Sequence, residues 1–514
     1  MASPLLLTDE QVQRFIAQGF LCLKTELPDG FHQRVSERFD QMIGKDESHN
    51  PGNNLLPSVP ELDEVFADPV VTGALTSVVG PDYVMHPHRA LHNNHPGSDE
   101  QKLHKDSYWG FRNRMRNHRL RWAMVMYVPQ ATPLEQGPTG VVPGSQWQTR
   151  RPDPSLMPEA PGSLEAGGFL LIHYDIWHRK MKNSSNRKRF MMKFEFMRTR
   201  NPEAPTWAYR DPAWRLNDLP SLDMSAVWKR QWHWLRNANG EASDRNAGIA
   251  TQVIEGLKHP DPRVRLSAIN AIAAGGAAAK AAISALAPLL EDACDPVSID
   301  AAYALAAAGE PAIDTLRDAI ARNDGEHVRE REAYEVGADY LVNEERIARA
   351  ACYGLVEIGK PAVPVLLDLL RLGQARARKL AAYALGEIAG TDDGVAAALC
   401  RATQDSETSV RVNAVEALGW KPGTPETVAA LSQAIRDAAA DVRFSAAFSL
   451  AQIGPDAAAA VPALKNALQD ENRYVPGYAV EALERIATPE ALRTLIPFLK
   501  TARWCPHTNP ASIY

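Results

Sequence analysis

The five residues Ala-Ala-Tyr-Ala-Leu occupy positions 301–305 and return unchanged at positions 381–385. Alignment on their final leucine gives seven equivalent apolar positions between residues 272 and 483, and five of the six spacings are 30–33 residues. Each period contains two Ala-rich helical segments, and near-constant repeats of this kind predict an α-solenoid. The one spacing of 50 residues is interpreted as a charged insertion at residues 323–344.

Arginine recurs where the second helix of a repeat is expected to begin. It ends the segments Asp-Pro-Arg-Val-Arg at residues 261–265, Ser-Val-Arg at 409–411 and Asp-Val-Arg at 441–443. These segments resemble the HEAT repeat family, particularly its short bacterial type. The resemblance implies an all-α solenoid over residues 241–500, followed by a C-terminal tail at residues 501–514.

The first part of the chain, residues 1–205, follows a different pattern. Thr8 and Gln11 form a predicted capping box, and Gly19 is placed to end that helix before a strand. Short β-type runs separated by Pro, Gly and Asn then cover residues 122–128, 140–142, 169–173 and 190–197. Many short strands with frequent turns predict an antiparallel barrel or sandwich.

A tryptophan-rich connector at residues 206–240 separates the two parts. It holds five of the eleven tryptophans in the chain: Trp207, Trp214, Trp228, Trp232 and Trp234. We favour a packed connector that anchors the solenoid to the first domain. A lid over an active site is the alternative, because aromatic density suits both roles.

The net charge of −6 is divided unevenly along the chain. Residues 1–240 carry 29 Lys and Arg against 26 Asp and Glu, whereas residues 241–514 carry 27 against 36. Residues 101–200 hold 18 basic and 7 acidic side chains, including arginines at positions 112, 114, 116, 119 and 121. These arginines indicate either an anionic substrate or pairing with the acidic solenoid. Nucleic-acid binding is not predicted, since no recognised binding module accompanies the basic run.

Cysteine usage and hydropathy limit the cellular setting. The five cysteines are scattered without a CxxC motif, which favours neither a zinc site nor a disulfide scaffold and indicates a reducing, cytoplasmic location. No signal-peptide pattern is present, and no apolar stretch approaches the ~18 residues of a membrane-spanning helix. Secretion and membrane insertion are therefore not predicted.

Two short segments carry the candidate metal ligands. His104 and Asp106 lie two positions apart, so on a strand or at its end their side chains point in the same direction. His178 follows an apolar run and can supply a third ligand. Two imidazoles and one carboxylate on one face of a metal form the facial triad of non-haem Fe(II) oxygenases.

An arginine eleven residues beyond His178 suits a keto-acid cosubstrate. Arg189 begins a strand, and its planar guanidinium can pair in a bidentate manner with the distal carboxylate of 2-oxoglutarate. Arg187 competes for this role. Either arginine can instead be a solvated residue at a strand end.

These features resemble the phytanoyl-CoA dioxygenase family of Fe(II)/2-oxoglutarate oxygenases over roughly residues 5–200. The resemblance is carried by Leu-Thr-Asp-Glu-Gln at 7–11, Gly-Phe-Leu at 19–21, Leu-His-Lys-Asp at 103–106, the Gly-Pro and Pro-Gly-Ser turns within 137–146, and His178 with Arg189.

The resemblance implies a double-stranded β-helix, the jelly-roll or cupin-like core, with flanking helices. It implies Fe(II) bound by His104, Asp106 and His178, with O2 and 2-oxoglutarate as cosubstrates. It also implies that Arg189 binds 2-oxoglutarate and that Trp122 forms a wall of that site. No further catalytic residue is predicted beyond the metal ligands.

Two positions depart from the family pattern, and one position narrows the chemistry. The family often has a small hydroxyl residue where this chain has Lys180, and often His where it has Gln146. The ligand Asp106 is a carboxylate, whereas related halogenases leave that position to chloride. Asp106 therefore favours hydroxylation over halogenation.

Other aromatic and histidine residues surround the motifs. Tyr108, Trp109 and Tyr127 are candidate substrate-binding residues. His173 is interpreted as structural. A group of four upstream histidines matches no compact metal template and is interpreted as loop residues or supports of the site: His86, His88, His92 and His95.

The sequence therefore predicts a dioxygenase that hydroxylates a C–H bond of a small molecule, such as an anionic compound or a natural-product intermediate. The solenoid would serve as a scaffold, a self-association surface or a wall of the pocket. The alternative is a hydroxylase whose solenoid captures a protein or carrier-bound substrate on its concave face.

Overall fold

The computed structural model describes residues 3–43, 54–106, 115–116, 118–217, 219–238, 249–322, 343–388, 390 and 393–501. The predicted charged insertion at residues 323–344 and the tail at 501–514 fall almost entirely outside the described residues. No helix in the described ranges is long and apolar enough to cross a membrane.

The first domain contains two antiparallel sheets, as predicted for a jelly roll. The larger sheet has the strand order β1-β6-β3-β8-β2, and the smaller sheet has the order β5-β4-β7. The strands are β1 (Phe20–Lys24), β2 (Tyr83–Asn94), β3 (Trp122–Tyr127), β4 (Thr139–Val141), β5 (Ala160–Gly162), β6 (Gly168–His173), β7 (His178–Lys180) and β8 (Arg189–Arg198).

Helices cover the outside of the larger sheet and link it to the solenoid. These helices are α1 (Asp9–Gln18), α2 (Asp29–Ile43), α3 (Leu55–Ser58), α4 (Leu62–Ala67), α5 (Pro69–Val79) and α6 (Ser225–Leu235). The predicted capping box of α1 is present, since Thr8 accepts from the Gln11 N–H and the Gln11 side chain accepts from the Thr8 N–H. Gly19 ends α1 in the left-handed region, with φ 81°.

Paired helices form the C-terminal solenoid, as the repeat predicted. They are α7 (Thr251–Gly256), α8 (Pro262–Ala274), α9 (Ile283–Leu286), α10 (Asp295–Ala307), α11 (Ile313–Ala321), α12 (Asn343–Ile358), α13 (Val363–Leu372), α14 (Ala375–Glu387), α15 (Asp393–Ala402), α16 (Thr408–Leu418), α17 (Pro425–Ala434), α18 (Ala440–Ile453), α19 (Val461–Ala467), α20 (Tyr474–Ile486) and α21 (Pro489–Leu499).

The recurring arginines link neighbouring repeats through a ladder of ion pairs. Each donates to an aspartate 26 or 27 residues further along the chain, at the start of the next repeat. The Nε···Oδ2 distances are 2.7–2.9 Å. The four pairs are Arg265–Asp292, Arg378–Asp405, Arg411–Asp437 and Arg443–Asp470.

The inner helices of the solenoid pack against the first domain. His118, in the segment before β3, lies among three tyrosines from successive repeats. Its Nδ1 is 2.6 Å from the Tyr303 hydroxyl, its ring stacks on Tyr353 at 3.9 Å, and its backbone N–H donates to the Tyr383 hydroxyl at 3.2 Å. Tyr303 and Tyr383 are the tyrosines of the repeated Ala-Ala-Tyr-Ala-Leu segments.

Two further contacts join the first domain to the solenoid. Near one end, Asp295 of α10 accepts from the backbone N–H groups of Thr149 and Arg150 at 2.9 and 2.7 Å. Near the other end, Arg485 of α20 pairs in a bidentate manner with Asp82, at 2.8 and 2.6 Å. Helices of the solenoid from α10 to α20 therefore contact the chain's own first domain.

The tryptophan-rich segment packs between the two parts. The rings of Trp207 and Trp232 lie 5.0 Å apart, and Trp207 Nε1 donates to Asp9 at the start of α1. Trp234 lies under the guanidinium groups of Arg119 and Arg121, at 5.5 and 5.3 Å. These contacts are those of an anchor between domains.

Candidate metal and cosubstrate site

Backbone pairing brings the two ligand segments together. His104 and His178 form an isolated antiparallel bridge, and each backbone N–H donates to the other's carbonyl, at 3.0 and 2.9 Å. Their imidazole centroids are 4.7 Å apart. Residues separated by 74 positions in sequence thus share one end of the jelly roll.

A hydrogen bond fixes the tautomer of each imidazole. Nδ1 of His104 donates to the carbonyl of Lys102 at 2.9 Å, and Nδ1 of His178 donates to that of Ile176 at 3.0 Å. Since a carbonyl can only accept, both rings carry their proton on Nδ1 when neutral. The lone pair of each Nε2 is therefore left for a metal ion.

Asp106 completes the group. Its Oδ2 lies 3.7 Å from His178 Nε2, and one ligand atom from each of His104, Asp106 and His178 lies within 4.8 Å of the other two. Burial lowers the pKa of His178 to about 4. Burial alone would raise the pKa of Asp106, but the charges of Lys193 and the two imidazoles hold it below its usual range. A neutral imidazole and an ionised carboxylate are the ligand forms that bind a metal.

Lys193 was missed by the sequence interpretation. Its ammonium donates to Asp106 Oδ2 at 3.0 Å, and both side chains are less than 10% exposed. Lys193 lies on β8, four positions after Arg189, and residues an even number apart share a face of a strand. The available signal was the presence of charged residues, Arg189, Lys193 and Glu195, on one face of this buried strand.

Burial distinguishes the two candidate cosubstrate arginines. Arg187 is exposed, whereas Arg189 is only 1% exposed at the start of β8. In the described residues the Arg189 Nε has no hydrogen-bond partner, and no carboxylate forms an ion pair with its guanidinium. Burial lowers the pKa of Arg189 to about 10, still charged at neutral pH. A buried, unpaired guanidinium is suited to bind an anion.

Tyr127 does not contact this site. It opposes Met192 on β8, so it lies on the opposite face of the sheet from Lys193. Its hydroxyl is hydrogen-bonded to His32 of α2, 2.6 Å from Nδ1. The expectation that Tyr127 binds substrate is therefore wrong, because strand alternation turns its side chain towards the helical layer. Tyr108 and Trp109 lie outside the described residues.

Trp122 lies at the far end of the sheet from Arg189. It opposes Met197, eight positions beyond Arg189 on β8, a separation of about 27 Å at ~3.4 Å per residue. Its ring contacts Tyr174, and it lines a cavity between the domains near Trp420. The expectation that Trp122 forms a wall of the Arg189 site is therefore wrong.

The basic run pairs largely with the protein itself. Arg121 forms two 2.8 Å hydrogen bonds with the Glu387 carboxylate, and Arg119 lies 3.4 Å from Glu357. Arg116 pairs with Asp175 of its own domain. Pairing with the acidic solenoid thus accounts for two of these arginines, whereas positions 112 and 114 lie outside the described residues.

Other predicted residues have structural contacts. Gln146, where the family often has histidine, donates to the Ile16 carbonyl of α1 at 3.0 Å. His173 Nδ1 accepts from the Asp175 N–H, in keeping with a structural role. Among the upstream histidines, His86 and His88 lie near helix α20, with His88 Nδ1 3.1 Å from the Tyr474 hydroxyl.

A jelly roll with two histidines and one carboxylate at an end of its sheets defines a class of non-haem metal oxygenase. Family comparison agrees: residues 23–191 match the model for phytanoyl-CoA dioxygenase (PhyH). The model for HEAT repeats matches residues 250–336, 342–419 and 395–475. The chain thus joins a domain that matches the PhyH family model to a region that matches HEAT repeats.

Three of the solved structures that resemble this chain each cover 39% of it. AviO1 from Streptomyces viridochromogenes is 15% identical, with 39% of this chain and 98% of that chain covered and a TM-score of 0.32. HygX from Streptomyces hygroscopicus, with nickel and 2-oxoglutarate bound, is 14% identical, with 39% and 90% covered and a TM-score of 0.32.

The carbocyclase SnoK from nogalamycin biosynthesis, a non-haem α-ketoglutarate-dependent enzyme, is 16% identical, with 39% and 88% covered and a TM-score of 0.32. Likenesses at this level carry no argument about the substrate of this chain. No curated protein sequence matches it.

Proposed function

We propose that this protein is an Fe(II)/2-oxoglutarate-dependent dioxygenase whose iron is bound by His104, Asp106 and His178. The observation that carries the proposal is the cluster of their three ligand atoms within 4.8 Å, with both Nδ1 atoms already bonded to carbonyls. Two Nε2 atoms and one carboxylate fit Fe(II) and leave coordination positions for other ligands.

Arg189 is proposed to bind the distal carboxylate of 2-oxoglutarate. The support is its buried guanidinium, which has no ion-pair partner in the described residues. Burial lowers the pKa of Lys180 on β7, and the nearby charge of Arg189 lowers it further. The two cations therefore share one region. Such a region attracts an anion and can orient a keto acid towards the metal ligands.

The proposed reaction is hydroxylation of a C–H bond in a small molecule. Bound iron would couple oxidative decarboxylation of 2-oxoglutarate to substrate oxidation, and the chain's own residues would bind, orient and exclude water. Asp106 occupies the carboxylate position, which favours hydroxylation over halogenation. The scattered cysteines support a cytoplasmic location as part of the same proposal.

Hydroxylation of a captured protein is the weaker candidate. It requires an accessible concave face, but that face is packed against the first domain at His118, Arg121 and Asp82. A protein partner would have to use another surface of the solenoid. The observations instead support a solenoid that encloses the oxygenase domain.

Anaerobic titration with Fe(II) and then 2-oxoglutarate tests the proposal. Wild-type protein should bind one equivalent of each and release succinate when oxygen is admitted. His178→Ala should abolish iron binding, while His95→Ala, a change outside the triad, should leave it intact. Unchanged iron binding by His178→Ala would refute the assignment of the metal ligands.

A further inference from the structure

Glu195 of β8 is a fully buried carboxyl group, 0% exposed. Within the part of the chain that the structure describes, neither of its oxygens has a hydrogen-bond partner. His86 Nδ1 lies 3.8 Å from Oε2, which is too long for a hydrogen bond, and that nitrogen already accepts from the His88 N–H at 2.8 Å. A buried polar group of this kind destabilises a fold unless a ligand satisfies it.

Strand alternation directs Glu195 to the face of the sheet that carries the proposed site. Lys193, whose ammonium bonds to Asp106, lies two positions earlier on β8, so the two side chains share a face about 7 Å apart. Arg189 lies on the same face, four positions before Lys193. Along β8, Lys193 thus lies between Arg189 and Glu195.

The charge state of this group limits what it can bind. Burial raises the pKa of Glu195 well above its usual range, and the negative charge of Asp106 adds to the effect. A neutral carboxyl group can donate one hydrogen bond and accept another. A hydroxyl group also offers one donor and one acceptor, so it can form both hydrogen bonds with a neutral carboxyl group. An anionic group would instead add a negative charge near Asp106.

The solenoid supplies the outer side of this region. The pairing of β2 with β8 is irregular between Met85 and Arg89, and this bulge carries His86. The His86 ring lies 5.4 and 5.5 Å from the rings of Tyr474 and Tyr478 on α20. The Tyr478 hydroxyl also contacts Met197 Sδ at 3.3 Å. Aromatic side chains of the last repeats therefore cover the end of β8 that carries Glu195.

We propose that Glu195 is a substrate-binding residue that holds a neutral hydroxyl group of the substrate, in a pocket whose outer wall is supplied by α20 of the solenoid. This inference rests on the proposed dioxygenase function and specifies its substrate class. It replaces the anionic substrate that the basic run indicated, since Arg119 and Arg121 pair with the solenoid.

Ligand-detected NMR on the full chain, loaded with Zn(II) and 2-oxoglutarate, tests this inference. The probes are benzyl alcohol, cyclohexanol and glycerol, each against its matched carboxylate: benzoate, cyclohexanecarboxylate and glycerate. Wild-type protein should bind at least one alcohol and prefer it over the matched carboxylate. Glu195→Leu should weaken that binding at least tenfold, while Glu195→Gln, which keeps a donor and an acceptor, should retain it.

Gln231→Leu in the connector is the matched control, since it also removes a fully buried polar group and should leave alcohol binding unchanged. Glu195→Leu should also raise the Tm, because an unpartnered buried acid is replaced by an apolar group. The inference would be overturned if none of the three alcohols bound or if the carboxylates bound more tightly. It would also be overturned if Glu195→Leu bound the alcohol as well as the wild-type protein does, or if that variant had a lowered Tm. Binding of 2-oxoglutarate in the same wild-type samples tests the proposed function separately.

Discussion

The ammonium of Lys193 lies 3.0 Å from Oδ2 of Asp106, joining strand β8 to the segment that carries two of the candidate metal ligands. Both side chains are less than 10% exposed, so the pair is shielded from water and salt. In the absence of metal, Lys193 provides the nearest positive charge to the Asp106 carboxylate among the described residues. Its removal should therefore act differently on the metal-free and metal-loaded protein.

We expect Lys193→Met to destabilise the metal-free protein by about 3–5 kcal/mol, the usual result of removing one partner of a buried ion pair. Mn(II), a redox-stable substitute for Fe(II), should recover part of that loss because it neutralises Asp106. Urea unfolding with and without Mn(II) measures both. The surface change Lys24→Met, which breaks an exposed pair with Glu165, should have no measurable effect. An equal loss in both states would contradict the placement of the metal at Asp106.

Arg189→Leu should raise the Kd for 2-oxoglutarate at least 100-fold, roughly 3 kcal/mol, because charge-assisted bonds to the distal carboxylate are lost. Iron binding should persist, and stability should not fall, since Arg189 has no ion-pair partner in the described residues. Isothermal titration of 2-oxoglutarate into Mn(II)-loaded protein measures the change. Arg187→Leu, at the exposed neighbouring position, is the control; a larger effect there would reverse the assignment.

Glu387→Ala should uncouple the two domains. It leaves the buried Arg121 guanidinium without the carboxylate that holds it through two hydrogen bonds, at a cost of about 3–5 kcal/mol. Scanning calorimetry should show one unfolding transition for wild-type protein and two for the variant. Glu310→Ala, at an exposed solenoid position, should retain one transition. A single, unshifted transition in Glu387→Ala would show that this pair does not couple the domains.

The contact between Asp82 and Arg485 should depend on pH. The hydrogen bonds from Arg485 lower the pKa of Asp82 to about 2, so ionised Asp82 stabilises the folded form. That stabilisation is complete above about pH 4, the ordinary aspartate pKa, and is lost as the pH falls towards 2.

Asp82→Asn should remove this part of the acid dependence of unfolding, while Asp314→Asn, in an exposed helix pair, should not. The measurement is Tm between pH 5 and 2. Identical acid profiles for wild-type and Asp82→Asn proteins would exclude a contribution from this contact.

Local patterns in the sequence determined the two fold classes and the candidate ligands. The 30–33-residue period predicted the solenoid, because each repeat must bury an apolar helix face against its neighbours. The spacing of His104 and Asp106, with His178 and Arg189 further along, predicted a metal and cosubstrate site because paired ligands on a strand share a direction. The structure brings His104, Asp106 and His178 within contact distance of a single ion.

Only the tertiary structure decided which face of the sheet each other side chain occupies and what covers it. The register of β3 and β8 directed Tyr127 away from the site, placed Trp122 at the far end from Arg189, and put Lys193 and Glu195 on the face of the metal ligands. The docking of the solenoid assigned Arg119 and Arg121 to interdomain pairs. The physical reason is that strand partners and interdomain contacts join residues far apart in sequence, so no local pattern specifies them.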